Sequence, residues 1–394
     1  MKALKTETNK QNKKILLTAV ITAVITLFIS IIIFYLLFFL DGRYLKLEQL
    51  DYFVENYFYG EIDTNKINDL IVKGYISGLD DKYANYYSVE DTEQRDNSLS
   101  GKGQGIGIIV AKHPDNENIY VKNVYEKGPA FEAGIRAGDC IFAVDGKKVA
   151  DMGYSEAVDF MLRDIGNKII LDISREDKIF KAEVTCTKFA EQTVFSKMID
   201  NKYGYIEITA FNRETTLQFE NAVNQLEASG AKALIFDLRG NGGGTVDAVC
   251  EMVDFICPEG TVMTVKYSNG KTEVIGESDK EEINLPMAVL TDGATASASE
   301  LFTASVKDFG KGISVGSKTY GKGVMQTTYH FTDGSSVVFT VAEFLPHSAE
   351  SFNLKGIEPD IEVALTEEEI KYQHIITEEN DSVILAAIGY LDEQ

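Results

Sequence analysis

The sequence predicts an α/β protein with a mixed sheet of βα units, preceded by a small β-rich domain and one membrane-spanning helix. Three observations predict it. Residues 15–40 carry no charge. Residues 96–186 alternate short β-branched runs with glycine turns. Residues 187–365 hold two strand–turn–helix units and then three more strands.

At 394 residues the chain has room for two or three cores. With 44% apolar and 25% charged residues, its composition is that of a folded protein. The net charge of −23 and a pI near 4.6 argue against nucleic-acid binding, which uses a basic surface. Four scattered cysteines are too few for a disulfide framework, and Cys250 and Cys257 read as buried thiols. With four histidines, no C-x-x-C and no H-E-x-x-H, no metal site is expected.

The N-terminal run, ILLTAVITAVITLFISIIIFYLLFFL, would span about 39 Å as a helix at ~1.5 Å per residue, more than the ~30 Å of a bilayer core. Lys2, Lys5, Lys10, Lys13 and Lys14 precede it and Asp41 comes after it. The expected orientation therefore puts a basic tail, residues 1–14, in the cytoplasm and everything after residue 40 outside. A cleaved signal peptide would have a shorter apolar region ending in a small-residue site, which is missing, so an uncleaved single-pass anchor is expected.

Residues 41–95 carry apolar positions at helical spacing, among them Leu50, Phe53, Tyr57, Ile67 and Ile71, and predict a helical arm for packing or dimerisation. The polar stretch RDNSLSGKG, residues 95–103, reads as a boundary. From Gly101 the glycines fall at every second position to Gly107, but without a preceding strand and a following long helix they make a poor dinucleotide turn. The chain then runs through strand GIGIIV, strand IYVKNV, a short helix at GPAFEAG, strand DCIFAVDGKKV, helix AVDFMLRDIG and strand KIILDISRE.

From residue 187 the pattern is KYGYIEI (strand), TTLQFENAVNQLEASG (helix, with Leu217, Ala222 and Leu226 apolar), ALIFDL (a strand buried on both faces) and the sharp turn RGNGGG before helix TVDAVCEMVDFI. A second unit repeats it: strand MAVLTD, turn GATAS, helix SASELFTASVKDFG. Strands GISVG, VMQTTYHF and SVVFTV close the core, and residues 366–394 read as an acidic helical tail.

Residues 316–322, GSKTYGK, spell G-x-x-x-x-G-K. A phosphate loop needs Ser or Thr next, to hold magnesium, and a helix after it; here Gly323 and a β-branched run come next. Lys322 needs another role. Ser297 stands where a strand ends and a helix begins. Ser297 and Glu300 form S-x-x-E, a capping box worth about 1 kcal/mol, which is the simple structural reading. The chemical reading makes Ser297 a nucleophile at the positive end of a helix dipole, with the Ala298 N–H as an oxyanion donor. Such a serine needs a base. A lysine serves if burial lowers its pKa from about 10.4 toward 7–8. Gln326, four residues beyond Lys322, would share its strand face and orient the amine. The neighbouring RGNGGG turn would supply the second oxyanion donor from Gly243 or Gly244. Ser299 is the competing nucleophile, and His330 a competing base without an evident Asp.

These residues carry two resemblances. Residues 96–186 resemble a PDZ domain, with Gly105, Ile106, Gly107 and Ile108 matching the loop that binds a peptide carboxylate while the peptide joins the sheet edge. DLRGNGGG, ATASASELFTASVKD, GSKTYGKGVMQ and LKGIEPDIEV, in that order and spacing, resemble the carboxyl-terminal processing (tail-specific) protease family, Ser–Lys serine endopeptidases with a PDZ domain. That resemblance covers residues 45–365 and includes VKGYISGLDDKYANYYSVED in the arm. It implies a crotonase/Clp-protease-like α/β core over 187–365. It makes Ser297 the nucleophile, Lys322 the base, Gln326 its orienter, and Ala298 with Gly243 or Gly244 the oxyanion hole. It implies substrates recruited by a free C-terminus, a homodimer, and neither metal nor organic cofactor. Gly242 stands where the family usually has proline. LRDIGNK stands where it usually has RG-x-x-G, so Arg163 matches an arginine that couples PDZ domain to active site. The alternative is an inactive PDZ scaffold at the membrane.

Overall fold

The computed structural model describes every residue except Met1, Leu40, Asp41, Arg43 and Asp177, and only the helical backbone for residues 2–13 and 36–39. The lysines of the expected basic tail before Lys14, and the flank at Leu40 and Asp41, therefore lie outside the described side chains. The chain divides into two units, Met1–Asn68 and Asp69–Gln394.

In the first unit α1 (Lys2–Phe39) is one helix, and its stretch Lys14–Tyr35, mean hydropathy 2.8, is long and apolar enough to cross a membrane. Helix α2 (Leu45–Tyr57) comes next, with Leu50 and Phe53 exposed. Helix α3 (Thr64–Ser77) carries the chain into the second unit.

There the arm adds β1 (Asn85–Tyr87) and α4 (Val89–Leu99). Helix α4 occupies much of the stretch expected to be a polar boundary. Its start is local: the Ser88 side chain accepts from the Asp91 N–H at 3.2 Å, and Glu90 and Asp91 fill the positive first turn.

The PDZ domain runs β2 (Lys102–Gly105), β3 (Ile108–Lys112), β4 (Ile119–Val124), α5 (Pro129–Glu132), β5 (Cys140–Val144), β6 (Lys147–Lys148), α6 (Val149–Met152), α7 (Tyr154–Met161), β7 (Lys168–Arg175), β8 (Lys178–Thr185) and β9 (Thr187–Ala190). Its antiparallel sheet has the order β3-β4-β5-β7-β8, leaving β3 on an edge. Alternate residues Ile119 and Val121, and Ile169, Leu171 and Ile173, fill one core. Strands β2 and β9 pair as the neck through which the chain enters and leaves. Helix α7 stops at Met161, so Leu162 and Arg163 lie beyond it rather than within it as the pattern predicts.

The core runs β10 (Val194–Ile199), β11 (Tyr203–Ile208), α8 (Thr215–Ala228), β12 (Ala233–Asp237), α9 (Val246–Ile256), β13 (Gly260–Tyr267), β14 (Thr272–Ser278), β15 (Met287–Thr291), α10 (Ala298–Asp308), β16 (Gly312–Gly316), β17 (Val324–His330), β18 (Ser336–Leu345) and β19 (Ile361–Glu362). One sheet has the order β10-β11-β12-β15-β16-β19, parallel except for β10. The other, antiparallel, pairs β18 with β13, β17 and the arm's β1. In α8 the buried face is Phe219, Ala222, Val223 and Leu226, at i, i+3, i+4 and i+7, while Leu217 is exposed. Helices α8, α9 and α10 pack with Leu234 and Phe236 of β12 in one cluster. Ala233 and Ile235 face the opposite way, against α12 (Ser382–Leu391), which comes after α11 (Glu367–Tyr372). The expected two-faced burial of β12 is thus met by helices on both sides. Cys250 and Cys257 are buried free thiols, and burial pushes both up to about 12.

Candidate active site

Strands β12 and β15 are parallel neighbours in register from Leu234 opposite Met287, so their C-terminal turns emerge side by side. In an open α/β sheet such a pair of carboxyl ends is where sites form. Four hydrogen bonds tie the turns together. The Gly240 N–H donates to the Asp292 carboxylate at 3.0 Å, and Thr295 Oγ1 donates to Leu238 O at 2.9 Å. The Ala296 N–H and Ser299 Oγ both donate to Asn241 O, at 3.0 and 2.9 Å.

Ser297 caps α10 with φ +60° and ψ −117°. An ordinary N-cap adopts extended backbone. A non-glycine residue held at positive φ costs on the order of 1–3 kcal/mol, and such strain collects at functional turns. Ser297 is held at this backbone by its neighbours as well as by the Glu300 half of the expected capping box. The Ala298 N–H has no acceptor among the described residues. A Cβ added to Gly243 (φ +101°) would lie 2.8 Å from Ala296 O, 2.9 Å from Ala298 N and 2.9 Å from Ser297 Cβ, so the turn presses on the serine and only glycine fits. The Gly243 N–H is engaged inside its own turn, donating to Asn241 Oδ1 at 2.8 Å. Gly244 serves packing, for a Cβ there would meet Phe211 O at 1.9 Å. Gly242 has open space around it.

Ser299, the competing nucleophile, is fully buried and its hydroxyl donates to Asn241 O. His330 sits on the exposed end of β17, 3.9 Å from Asp96, an acidic neighbour that the sequence did not reveal.

Lys322 lies in the loop before β17, half-buried. Glycines flank it because the chain packs on the 353–356 loop: a Cβ on Gly323 would come 2.9 Å from Asn353 N and one on Gly321 2.8 Å from Gly356 N. Burial, then the Arg95 guanidinium, push the Lys322 ammonium below its ordinary value, and Asp81 and Glu300 pull the other way. Its Nζ rests 4.8 Å from the centroid of the Tyr83 ring, and no hydrogen bond joins it to Ser297 Oγ among the described residues. The Gln326 amide donates to Val324 O at 3.2 Å, not to Lys322. Gln326 and Lys322 do not share a strand face: Lys322 precedes the strand, and a bulge between Met325 and Gln326 breaks the alternation.

Sequence reasoning missed Glu300's second role and the arm's contribution. Glu300 Oε2 accepts from the backbone N–H of both Ser297 (2.9 Å) and Lys322 (2.7 Å). From the arm, Asp81 accepts from the Thr340 N–H on β18 at 2.8 Å, Arg95 donates to Thr328 on β17 at 2.9 Å, and Tyr83 underlies Lys322. The capping motif S-x-x-E was the available signal for Glu300; the arm offered only its resemblance.

In the PDZ domain Gly105 (φ +130°) and Gly107 (φ +76°) shape the loop before edge strand β3, with Ile106 buried and Ile108 partly so. Arg163 forms an ion pair with Asp145 at 3.0 Å and lies over Phe160, contacts within the PDZ domain. Contacts to the core run elsewhere: Lys122 and Asn123 of β4 reach Glu207 of β11 at 2.6 and 3.1 Å, and the Tyr125 ring meets that of Phe195 on β10.

Comparison with known proteins places this geometry. A model of peptidase family S41 matches residues 202–363, and a PDZ domain model matches residues 97–174. The carboxy-terminal processing protease CtpA of Bacillus subtilis strain 168 is 34% identical over 331 residues, covering 82% of this chain and 70% of that protein. A probable CtpA-like serine protease of Staphylococcus aureus strain N315 is 32% identical over 326 residues, 81% of this chain and 64% of that protein. Among solved structures, a putative S41 protease from Bacteroides fragilis superposes with TM-score 0.62 at 17% identity, covering 85% of this chain and 92% of that one. A photosystem II D1 C-terminal processing protease gives 0.50 at 24%, covering 82% and 86%. These two share the fold.

Proposed function

The chain belongs to the carboxyl-terminal processing family of S41 serine proteases, and from that premise we propose that it cleaves polypeptides by a Ser297–Lys322 acyl-enzyme mechanism after its PDZ domain has bound their free C-termini. The observation that carries the mechanism is the shared anchor of Ser297 and Lys322 on one carboxylate oxygen, with Ser297 strained against Gly243. The amine leaves the Tyr83 ring and takes the Ser297 hydroxyl proton as Oγ attacks the scissile carbonyl. The oxyanion is held by the Ala298 N–H and by an amide of the 242–244 turn; Gly243 serves once its N–H is released by Asn241. Lys322 returns the proton to the leaving amine, then activates the water that frees the serine. Gln326 orients the amine in that closed state. Because Lys322 must move from Tyr83 toward Ser297, the resting enzyme is latent until peptide arrives.

The PDZ loop, Gly105 to Ile108, receives the substrate carboxylate and edge strand β3 pairs with its backbone. Arg163, held by Asp145, steadies the PDZ domain, and coupling to the core passes through Lys122 and Asn123 on Glu207. The domain organisation is a basic tail over 1–14, an anchor over 15–40, the arm to 95, the PDZ domain over 96–186, the core to 365 and a packed tail to 394. The helix over Lys14–Tyr35 holds the enzyme in the membrane with its catalytic part outside. Exposed Leu50 and Phe53 on α2 support a homodimer through the arm. The test is cleavage, by the full chain in detergent, of an unstructured protein with a free or an amidated apolar C-terminus. Only the free form should be cut quickly, and neither should be cut by Ser297→Ala or Lys322→Ala. Tail binding without cleavage in every variant would mark an inactive scaffold.

A further inference from the structure

Glu300 is fully buried in α10, a helix buried along Ala298, Ser299, Leu301, Phe302 and on to Val306. A glutamate is almost never so placed unless a cation pairs with it, and among the described residues no ion pair reaches Glu300. Its partners are four donors instead. Oε1 accepts from Thr319 Oγ1 at 2.5 Å and from the Gly321 N–H at 2.7 Å. Oε2 accepts from the Ser297 and Lys322 N–H groups. The Thr319 hydroxyl itself accepts from the Ile357 N–H at 2.7 Å, so its proton is committed to Glu300. Both oxygens act only as acceptors, the pattern of an ionised carboxylate. A helix cap requires one of these four bonds. The other three come from the loop that carries Lys322.

We propose that Glu300 is a positioning residue of the Ser–Lys reaction: its carboxylate clamps the nucleophile's turn to the base's loop, and its uncompensated charge favours the ammonium formed when Lys322 takes the serine proton. The inference rests on the Ser297–Lys322 reading. The other groups facing Lys322 are Arg95 of α4 and Asp81, Lys82 and Tyr83 of the arm. The net field at the amine is thus a balance, in which Glu300 is the acid attached to the catalytic helix.

The experiment measures the pH dependence of fluorophosphonate labelling on the full chain in detergent, where Ser297 Oγ bonds phosphorus, fluoride leaves and Lys322 takes the proton. Glu300→Gln keeps the shape, removes the charge and sets an amide N–H against a donor. Labelling should slow about a hundredfold, the cost of a small misplacement at a reacting pair. The pH midpoint should fall, because the amine loses a neighbouring negative charge. Binding of a C-terminal peptide to the PDZ domain should not change. A wild-type rate and midpoint would overturn the proposal, and so would slow labelling with an unmoved midpoint, the mark of a plain cap. Should Glu300→Gln not fold, Thr319→Val decides. It removes one donor and keeps the charge, and should label about tenfold more slowly at an unmoved midpoint; a wild-type rate overturns the clamp. Lys322→Ala separates the two readings. If it labels like wild type the Ser–Lys reading fails, whereas a dead Lys322→Ala beside a normal Glu300→Gln removes the Glu300 inference alone.

Discussion

Two buried carboxylates near the same sheet, Asp237 and Glu300, are satisfied in opposite ways. Asp237, at the end of β12, meets a full positive charge. Arg239 approaches it with Nε at 2.9 Å and Nη2 at 2.6 Å, Tyr205 OH donates to it at 2.7 Å, and Arg239 goes on to Asp381 at the start of α12. Burial acts against the charge, yet Arg239 holds the Asp237 carboxyl below its usual range. Glu300 meets three backbone amides and a hydroxyl, and among the described residues no ion-pair partner. The first arrangement cancels charge and fastens the C-terminal helix to the sheet. The second fixes geometry: it joins the turn of Ser297 to the loop of Lys322, the proposed base.

Arg239→Met tests the structural half and carries the largest stability effect. It leaves Asp237 buried without its cation, and urea unfolding should show a loss of about 3–5 kcal/mol. Loss of less than 1 kcal/mol would mean that Asp237 is not neutralised by Arg239. Gly243→Ala tests the catalytic half. The added methyl meets backbone atoms at 2.8 and 2.9 Å beside Ser297, so kcat should drop about a hundredfold with modest loss of stability. Retained kcat would show that the turn does not set the serine.

Lys322→Met sharpens the contrast through pH. The folded-state pKa of Lys322 is lowered by burial. Between that value and the unfolded one the unfolded chain binds a proton that the folded chain has shed, so stability from this group rises with pH across the window. Below it, the ammonium is held at a cost. The inactive methionine variant should therefore melt above wild type at neutral pH, with the gap closing as pH approaches 10.5. A constant gap would show that Lys322 is not desolvated. The smallest effect is expected from Gly242→Ala, where nothing lies within 4 Å of the new methyl and stability should stay within about 0.5 kcal/mol.

The βα units were legible because ALIFDL and MAVLTD are continuous apolar runs ending in glycine or small-residue turns, and both became strands buried on two faces. The three-residue strand Asn85–Tyr87 was not, since its pairing with β18 is set by a partner some 250 residues away. Ser297 and Lys322 could be nominated from local pattern and spacing. Glu300 could be read only as a cap, because its other donors, Thr319, Gly321 and Lys322, return to it from the far side of β16. Gln326 shows the reverse limit of local pattern. Strand alternation was a sound rule, applied across a loop and a bulge where it does not operate. The hydrogen bond that engages the Ser299 hydroxyl on Asn241 is one that no sequence rule supplies.

The most direct measurement of the central claim is mass spectrometry of the full chain after brief exposure to a fluorophosphonate at neutral pH, with the adduct mapped to its residue. One adduct, on Ser297, absent from Ser297→Ala and formed at least about a hundredfold more slowly in Lys322→Ala, is the predicted result. An adduct on another serine, or equal labelling of wild type and Lys322→Ala, would contradict the assignment of nucleophile and base.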